Sequence, residues 1–222
     1  ALKTQQFRWN KGAAETARKN LRTLLKIKNI PFSTKLHGIF HLLNSFLFVC
    51  IFIVIVLSVP VLYIKHNTNQ PPWIFKIAGL LIFSLITLGI YYYISQKRLK
   101  MEHQKPGFTF IYQFPLFLSV NMGLSLHNAI AVIEGYIGKK SPFIRTPKCN
   151  ITKQGGTWKD KSQYFKSTFN VLTLMEIGMC FYSIFGIITA FILNDFGLVP
   201  FHCMLAIGFG YVSFLSYKHS TA

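Results

Sequence analysis

Four stretches of this chain are each long and apolar enough to cross a bilayer, which takes about 20 apolar residues at roughly 1.5 Å rise apiece. They run from His37 to Ile64, Trp73 to Ser95, Phe169 to Leu193 and Phe196 to Tyr217. A helix in a soluble core carries a polar stripe at a period near 3.6, whereas these segments are apolar all round. Pro60 and Pro200 fall near the expected helix ends, where a lost backbone hydrogen bond is tolerated. The sequence therefore predicts an all-α integral membrane protein with four transmembrane helices.

A fifth stretch, Phe108 to Gly138, behaves differently. Its first part, FTFIYQFPLFLSV, contains Gln113 and Pro115 and suits a re-entrant or interfacial segment better than a full span. Its second part repeats polar or small residues at spacings of three and four (Asn121, His127, Asn128, Ala131, Glu134, Gly135, Gly138), so they share one helical face. Leu126, Ile130, Ile133 and Ile137 occupy the other face. Such a helix is expected to lie flat in the headgroup region.

The charge is as uneven as the apolar content. Lys and Arg number 24 against 6 Asp and Glu, a net charge of +18 that would ordinarily suggest nucleic acid. With 51% hydrophobic residues and 22 phenylalanines, the composition argues against a soluble nucleic-acid binder, and no nucleic-acid partner is expected. Nine cations fall in residues 1–35, four in 96–107, eight in 139–168, and Lys218 adds one. Only Lys65 and Lys76 lie elsewhere, flanking one short connection. Cytoplasmic flanks carry the Lys/Arg excess, so both termini and residues 96–107 and 139–168 are expected in the cytoplasm. That pattern requires 108–138 to enter and leave on the same side. The predicted organisation is an interfacial helix over 1–35 and a transmembrane pair over 36–95. A cytoplasmic turn with re-entrant and amphipathic segments comes next over 96–138, then a cytoplasmic loop over 139–168 and a second transmembrane pair over 169–222.

The chain opens ALKTQQFRWNKG without an initiator Met or a signal-peptide pattern and is expected to be a piece of a longer protein. Trp9, Ala13, Ala17, Leu21 and Leu25 recur every fourth residue, giving an amphipathic helix whose cations would, on the plain reading, meet anionic lipid. Gln5, Arg8 and Trp9 stand at i, i+3 and i+4 and project from one side, with Gly12 leaving space a turn on. A guanidinium can hold a diphosphate bidentately, and an indole offers a flat apolar face to a sugar ring. This combination suits transfer of a sugar from a nucleotide-diphosphate donor to a carbohydrate acceptor.

Residues 5–9, Gln-Gln-Phe-Arg-Trp, resemble the QxxRW motif of family 2 glycosyltransferases, the group that contains cellulose, hyaluronan and mannan synthases. Later in the chain, Phe143-Ile144-Arg145-Thr146-Pro147-Lys148 resembles that family's FxVTxK gating-loop motif, with Arg145 where the motif has Val. The stretch NMGLSLHNAIAVIEGYIGKKSPFIRTPK, Asn121 to Lys148, is similar to the helix-plus-loop region of plant mannan synthases. The resemblance covers essentially the whole chain but only the C-terminal half of the family's architecture. It implies that Trp9 stacks at the acceptor end of a growing glycan, and that Gln5 and Arg8 stand on the acceptor or donor-diphosphate side. Residues 139–168 become a cytoplasmic gating loop, with Phe143, Thr146 and Lys148 contacting the base and phosphates of a UDP- or GDP-hexose. The implied partners are that donor, the glycan acceptor and membrane lipid. The implied location is a bacterial inner membrane, or a Golgi or plasma membrane in a eukaryote.

The family's metal-binding aspartates and catalytic base belong to a GT-A domain that would precede Ala1. A divalent metal, Mg or Mn, is expected there. The six acids here are Glu15, Glu102, Glu134, Asp160, Glu176 and Asp195, with no DxD pair, so the chain by itself is expected to bind no metal and transfer no sugar.

Other residues invite smaller claims. Two placements fit Glu176: lining a translocation channel, or sitting near the headgroups with its carboxylate paired to a Lys. His37 and His41 are i, i+4 but lack a nearby carboxylate or Cys, so packing is the better reading. Cys50, Cys149, Cys180 and Cys203 show neither CxxC nor zinc spacing. Asn44 and Ser45 suit bundle packing, and Trp73 and Tyr91–Tyr93 suit an interface belt. Asn150-Ile151-Thr152 fits a glycosylation acceptor, silent in the cytoplasm.

Three functions compete. The leading expectation is the membrane and gating half of a processive inverting β-glycan synthase that exports its polymer. The second is a non-processive relative acting on a lipid acceptor, similar to ceramide glucosyltransferases. The third is a non-enzymatic channel component, which leaves both ordered motifs to coincidence. A lumen shared by Glu176, Asn44 and Asn121 would favour the first, and a sealed bundle the second.

Overall fold

A computed structural model of the chain describes residues 2–68, 82–98, 106–140 and 171–220, and all regular structure among them is helical. The helices are α1 (Leu2–Lys26), α2 (Phe32–Leu43), α3 (Leu47–Asn67), α4 (Ile82–Arg98), α5 (Pro106–Gly123), α6 (Ser125–Ile137), α7 (Val171–Ile192) and α8 (Val199–Ser220). Among the described residues three helical segments are long and apolar enough to cross a membrane: Phe32–Asn67, Val171–Ile192 and Phe196–Lys218. A fourth is added if the bent pair α5–α6 counts as one span. Most large apolar side chains on these segments point outward, as at Phe40, Val54, Ile64, Phe181, Ile188 and Phe214, which is compatible with a membrane-embedded protein. The first part of the expected second span lies outside the described residues, whose share of it is α4.

The first span is interrupted. A 3-10 turn at Asn44–Phe46 separates α2 from α3. Pro60 does not sit at a helix end as the sequence predicts; it lies inside α3. Proline cannot supply the N–H that the carbonyl of residue 56 expects from residue i+4. The freed Val56 carbonyl instead accepts a 2.5 Å hydrogen bond from the Tyr182 hydroxyl of α7. A proline that would weaken one apolar helix thereby ties it to another.

α7 and α8 pack side by side through the turn at Leu193–Asp195, where Asn194 adopts the left-handed conformation that Asn tolerates. α5 crosses α8 where glycine meets glycine. A Cβ on Gly208 would lie 1.9 Å from the Ser119 carbonyl oxygen, and one on Gly123 2.3 Å from that of Gly208. Small residues allow such backbone approach between apolar helices, where packing rather than burial from water drives association. A small core joins Ile55 of α3, Leu126 of α6, and Leu205 and Phe209 of α8. Within it His202 is sealed against Ser58 (2.9 Å) and occupies the notch left by Gly186.

α4 and α5 form an antiparallel pair stitched by aromatic rings. Tyr92 lies 5.1 Å from Phe117 and 5.8 Å from Phe114, Tyr93 lies 5.5 Å from Phe110, and Gln96 donates to Gln113. Tyr92 and Tyr93 thus serve helix packing, while Tyr91 is the most exposed of the three.

Candidate functional site

α1 is amphipathic as expected, but its buried row shares only Ala17 and Leu21 with the expected one. Steps of four residues advance about 40° around a 3.6-residue helix, so a row from Trp9 to Leu25 turns through about 160°. The row that docks is Asn10, Ala14 and Ala17, all buried, continued by the half-buried Leu21 and Leu24. Trp9 falls outside it and is 62% exposed, and Ala13 and Leu25 are exposed too. The expected grouping of Gln5, Arg8 and Trp9 persists on one continuous helix: Gln5 and Arg8 are half-buried and the indole stands free. Gly12 beside them meets nothing within 4 Å, so the space a turn beyond Trp9 is open.

α1 docks on α6, and the polar and small face expected from the sequence is the face it uses. Asn128, Ala131 and Gly135 are buried there. The two helices run parallel, His127 against Lys3, Glu134 against Lys11, and Ile137 against Arg18. Contact at Gly135 is close enough that a Cβ would stand 2.6 Å from the Lys11 carbonyl oxygen and 2.7 Å from Ala14 Cβ. The opposite face is less lipid-facing than the spacing predicts. Leu126, assigned to the apolar side, is buried in the core instead, and α6 is held between α1 and α3, with only Ile133 and Ile137 exposed as expected.

Glu134 is the charge centre of this contact. One carboxylate oxygen takes Lys11 at 3.0 Å and the other takes Lys139 at 2.5 Å. Lys11 is two residues past Trp9, and Lys139 is the first residue of the 139–168 loop. α6 ends immediately before that loop with Gly138 in the left-handed conformation (φ 81°), its N–H and that of Lys139 both returning to the Glu134 carbonyl. A side chain at Gly138 would strike the Arg18 guanidinium, 2.0 Å away. Phe143, Thr146, Lys148 and the Arg145 departure lie outside the described residues.

A second ionic contact fastens the start of α1 to α7 and α8. Lys3 Nζ lies 2.7 Å from Glu176 on α7 and 2.9 Å from Ser216 Oγ on α8. Glu176 is 0% exposed. Its carboxylate is paired to a lysine, as one of the two placements expected for it requires. Asn44 and Asn121 are exposed, and the Asn121 amide donates to its own helix at Phe117, so these three residues share no lumen among those described. Sequence reasoning has no means of finding Lys3 as the partner, because the pair is 173 residues apart and Lys3 is one of nine cations in its segment.

At the other end of the bundle, Lys65 in the last turn of α3 lies 2.5 Å from Asp195 in the α7–α8 turn. This hydrogen bond, with a further one from the Gly197 N–H, holds the Asp195 carboxyl below its usual range. The two cations left over by the charge sorting include Lys65, so the sparsely charged connections meet at one end and α1 caps the opposite one. His37 and His41 are both exposed, and among the described residues no group of three or more His, Cys, Asp or Glu stands together to hold a metal. Comparison with known protein families, with curated proteins and with solved structures returns no match for the chain.

Proposed function

We propose that the chain is the membrane and gating half of an inverting family 2 glycosyltransferase that extends a β-glycan from a UDP- or GDP-hexose and passes it across the membrane. The observation that carries this reading is the shared carboxylate of Glu134. The two segments that resemble the family's motifs are distant in sequence, yet Lys11, beside Trp9, and Lys139, at the root of the gating loop, close on the same side chain. In this reading Arg8 neutralises the donor diphosphate, and the exposed Trp9 indole stacks on the acceptor sugar. The 139–168 loop closes over the nucleotide through Phe143, Thr146 and Lys148. Loop movement is transmitted through Lys139 and Glu134 to the helix that positions the acceptor. The divalent metal and catalytic base belong to the preceding GT-A domain.

The charge-rich end, capped by α1, faces the cytoplasm of a bacterial inner membrane in this reading. α6 runs alongside α1, supporting a re-entrant α5–α6 element and four spans. One observation favours a second acceptor, a membrane lipid: among the described residues Glu176 is sealed and paired to Lys3. The test is Trp9→Ala in the protein carrying its catalytic domain, assayed with labelled UDP- and GDP-hexoses. Loss of transfer is expected, and unchanged transfer would sink the role given to Trp9. Separating the wild-type product into polymer and solvent-extractable glycolipid decides between the two acceptors.

A further inference from the structure

The elbow between α1 and α2 carries charge that the fold does not use. Residues 18–28 contain Arg18, Lys19, Arg22, Lys26 and Lys28 and no acid. Before this run Lys3 is taken by Glu176 and Lys11 by Glu134, and within it Arg18 donates to the Ile137 carbonyl. Arg22, Lys26 and Lys28 are exposed and make no hydrogen bond or ion pair among the described residues. The elbow itself is fastened by Lys35, whose ammonium donates to the Leu25 carbonyl at 3.1 Å.

The apolar run directly after these cations sets their depth. α2 opens the 36-residue apolar segment Phe32–Asn67, and its Phe32 and Phe40 are turned outward. With this segment set in a bilayer, the chain enters the apolar phase within a few residues of Lys28, which puts the three cations at headgroup depth. In the same elbow an open groove of about 320 Å³ runs between α1 and α2, lined by Asn20, Thr23, Leu24, Ile27, Gly38, His41 and Leu42; the long side chains of Arg22 and Lys26 start from the neighbouring face of α1. Gly38 keeps it narrow but unfilled, since a Cβ there would stand 2.8 Å from Leu24 Cδ2.

We propose that this elbow is a binding site for an anionic phospholipid, whose phosphate is held by Arg22, Lys26 and Lys28 and whose acyl chain lies in the α1–α2 groove. The charge complements a headgroup with net negative charge and gives no advantage to a zwitterionic one. The site fixes α1 against the membrane surface, independently of whether the chain serves a glycosyltransferase.

The test uses the full chain in phosphatidylcholine nanodiscs containing a minor fraction of phosphatidylglycerol, with retained lipid counted by native mass spectrometry after extraction. Wild-type protein retains phosphatidylglycerol over phosphatidylcholine. Each cation near the surface is worth roughly fivefold, so Arg22→Gln/Lys26→Gln/Lys28→Gln lowers that preference on the order of a hundredfold. The charge-conserving Arg22→Lys/Lys26→Arg/Lys28→Arg keeps the preference, and circular dichroism confirms that both variants remain helical. Equal retention of phosphatidylglycerol by the neutralised variant would overturn the proposal. So would displacement of the lipid by inorganic phosphate at the concentration of the lipid itself, which would mark a free-anion site.

Discussion

Lys3 and Glu176 form an ion pair at 2.7 Å that joins the first turn of α1 to the second turn of α7, with Ser216 of α8 completing the lysine's contacts. The carboxylate is fully buried and the ammonium partly so. Removing one partner of a buried pair costs about 3–5 kcal/mol, because the other charge is left uncompensated, whereas removing both costs far less. Lys3→Met is therefore expected to lower the thermal unfolding midpoint in detergent, and Lys3→Met/Glu176→Gln to regain most of it. A midpoint indifferent to Lys3→Met would show that the pair does not form.

The Tyr182–Val56 hydrogen bond exists because Pro60 leaves a carbonyl free, so Tyr182 and Pro60 should be energetically coupled. Tyr182→Phe removes a bond worth about 1 kcal/mol and leaves an acceptor in the bundle unpaired. In a Pro60→Ala background the restored backbone N–H at position 60 can satisfy the Val56 carbonyl within the helix, and Tyr182→Phe should then cost markedly less. A double-mutant cycle on unfolding free energies reads the difference. Additive effects would disprove the link.

These two contacts mark where the sequence is legible and where it is not. The apolar segments announce themselves because lipid leaves no room for polar faces, so α3, α7 and α8 fall where the apolar runs lie. The polar face of α6 is equally plain from spacing alone. Its partner is not, since a face of small residues states that something approaches closely without stating what. The expected row on α1 coincides with the buried one at Ala17 and Leu21 and leaves it at Trp9, Ala13 and Leu25, because a strict four-residue repeat resembles helical periodicity over two turns and departs from it over four. Pro60 is misplaced for a related reason: hydropathy marks where a span lies but not how far its helix continues, and the α3 helix runs on to Asn67.

The end of the bundle away from α1 should respond to acid. Lys65 and the Gly197 N–H depress the pKa of Asp195, so folding gains from this group above the ordinary aspartate value of about 3.9, and loses that gain as pH falls through the lowered folded value. The wild-type midpoint should drop on acidification from about pH 5 downward. Lys65→Met should lower the neutral-pH midpoint slightly, as expected for a partly exposed pair, and flatten the acid limb. An acid limb of unchanged steepness in Lys65→Met would show that Asp195 draws nothing from Lys65.

Gly135 tests whether the α1–α6 contact matters beyond holding the helices together. Its missing side chain is what lets the Lys11 carbonyl and Ala14 come within contact of α6, and neither is a flexible tip able to move aside. Gly135→Ala must therefore shift α1 outward, at a cost of about 1–3 kcal/mol for overpacking. Because the shift pulls Lys11 from Glu134, and Glu134 also holds Lys139, transfer in the protein with its catalytic domain should fall further than the loss of folded protein explains. Gly178 on α7 is the matched control: it faces open space, and Gly178→Ala gains helix propensity without meeting another helix. Normal transfer by folded Gly135→Ala protein would separate the α1–α6 contact from the proposed gating path.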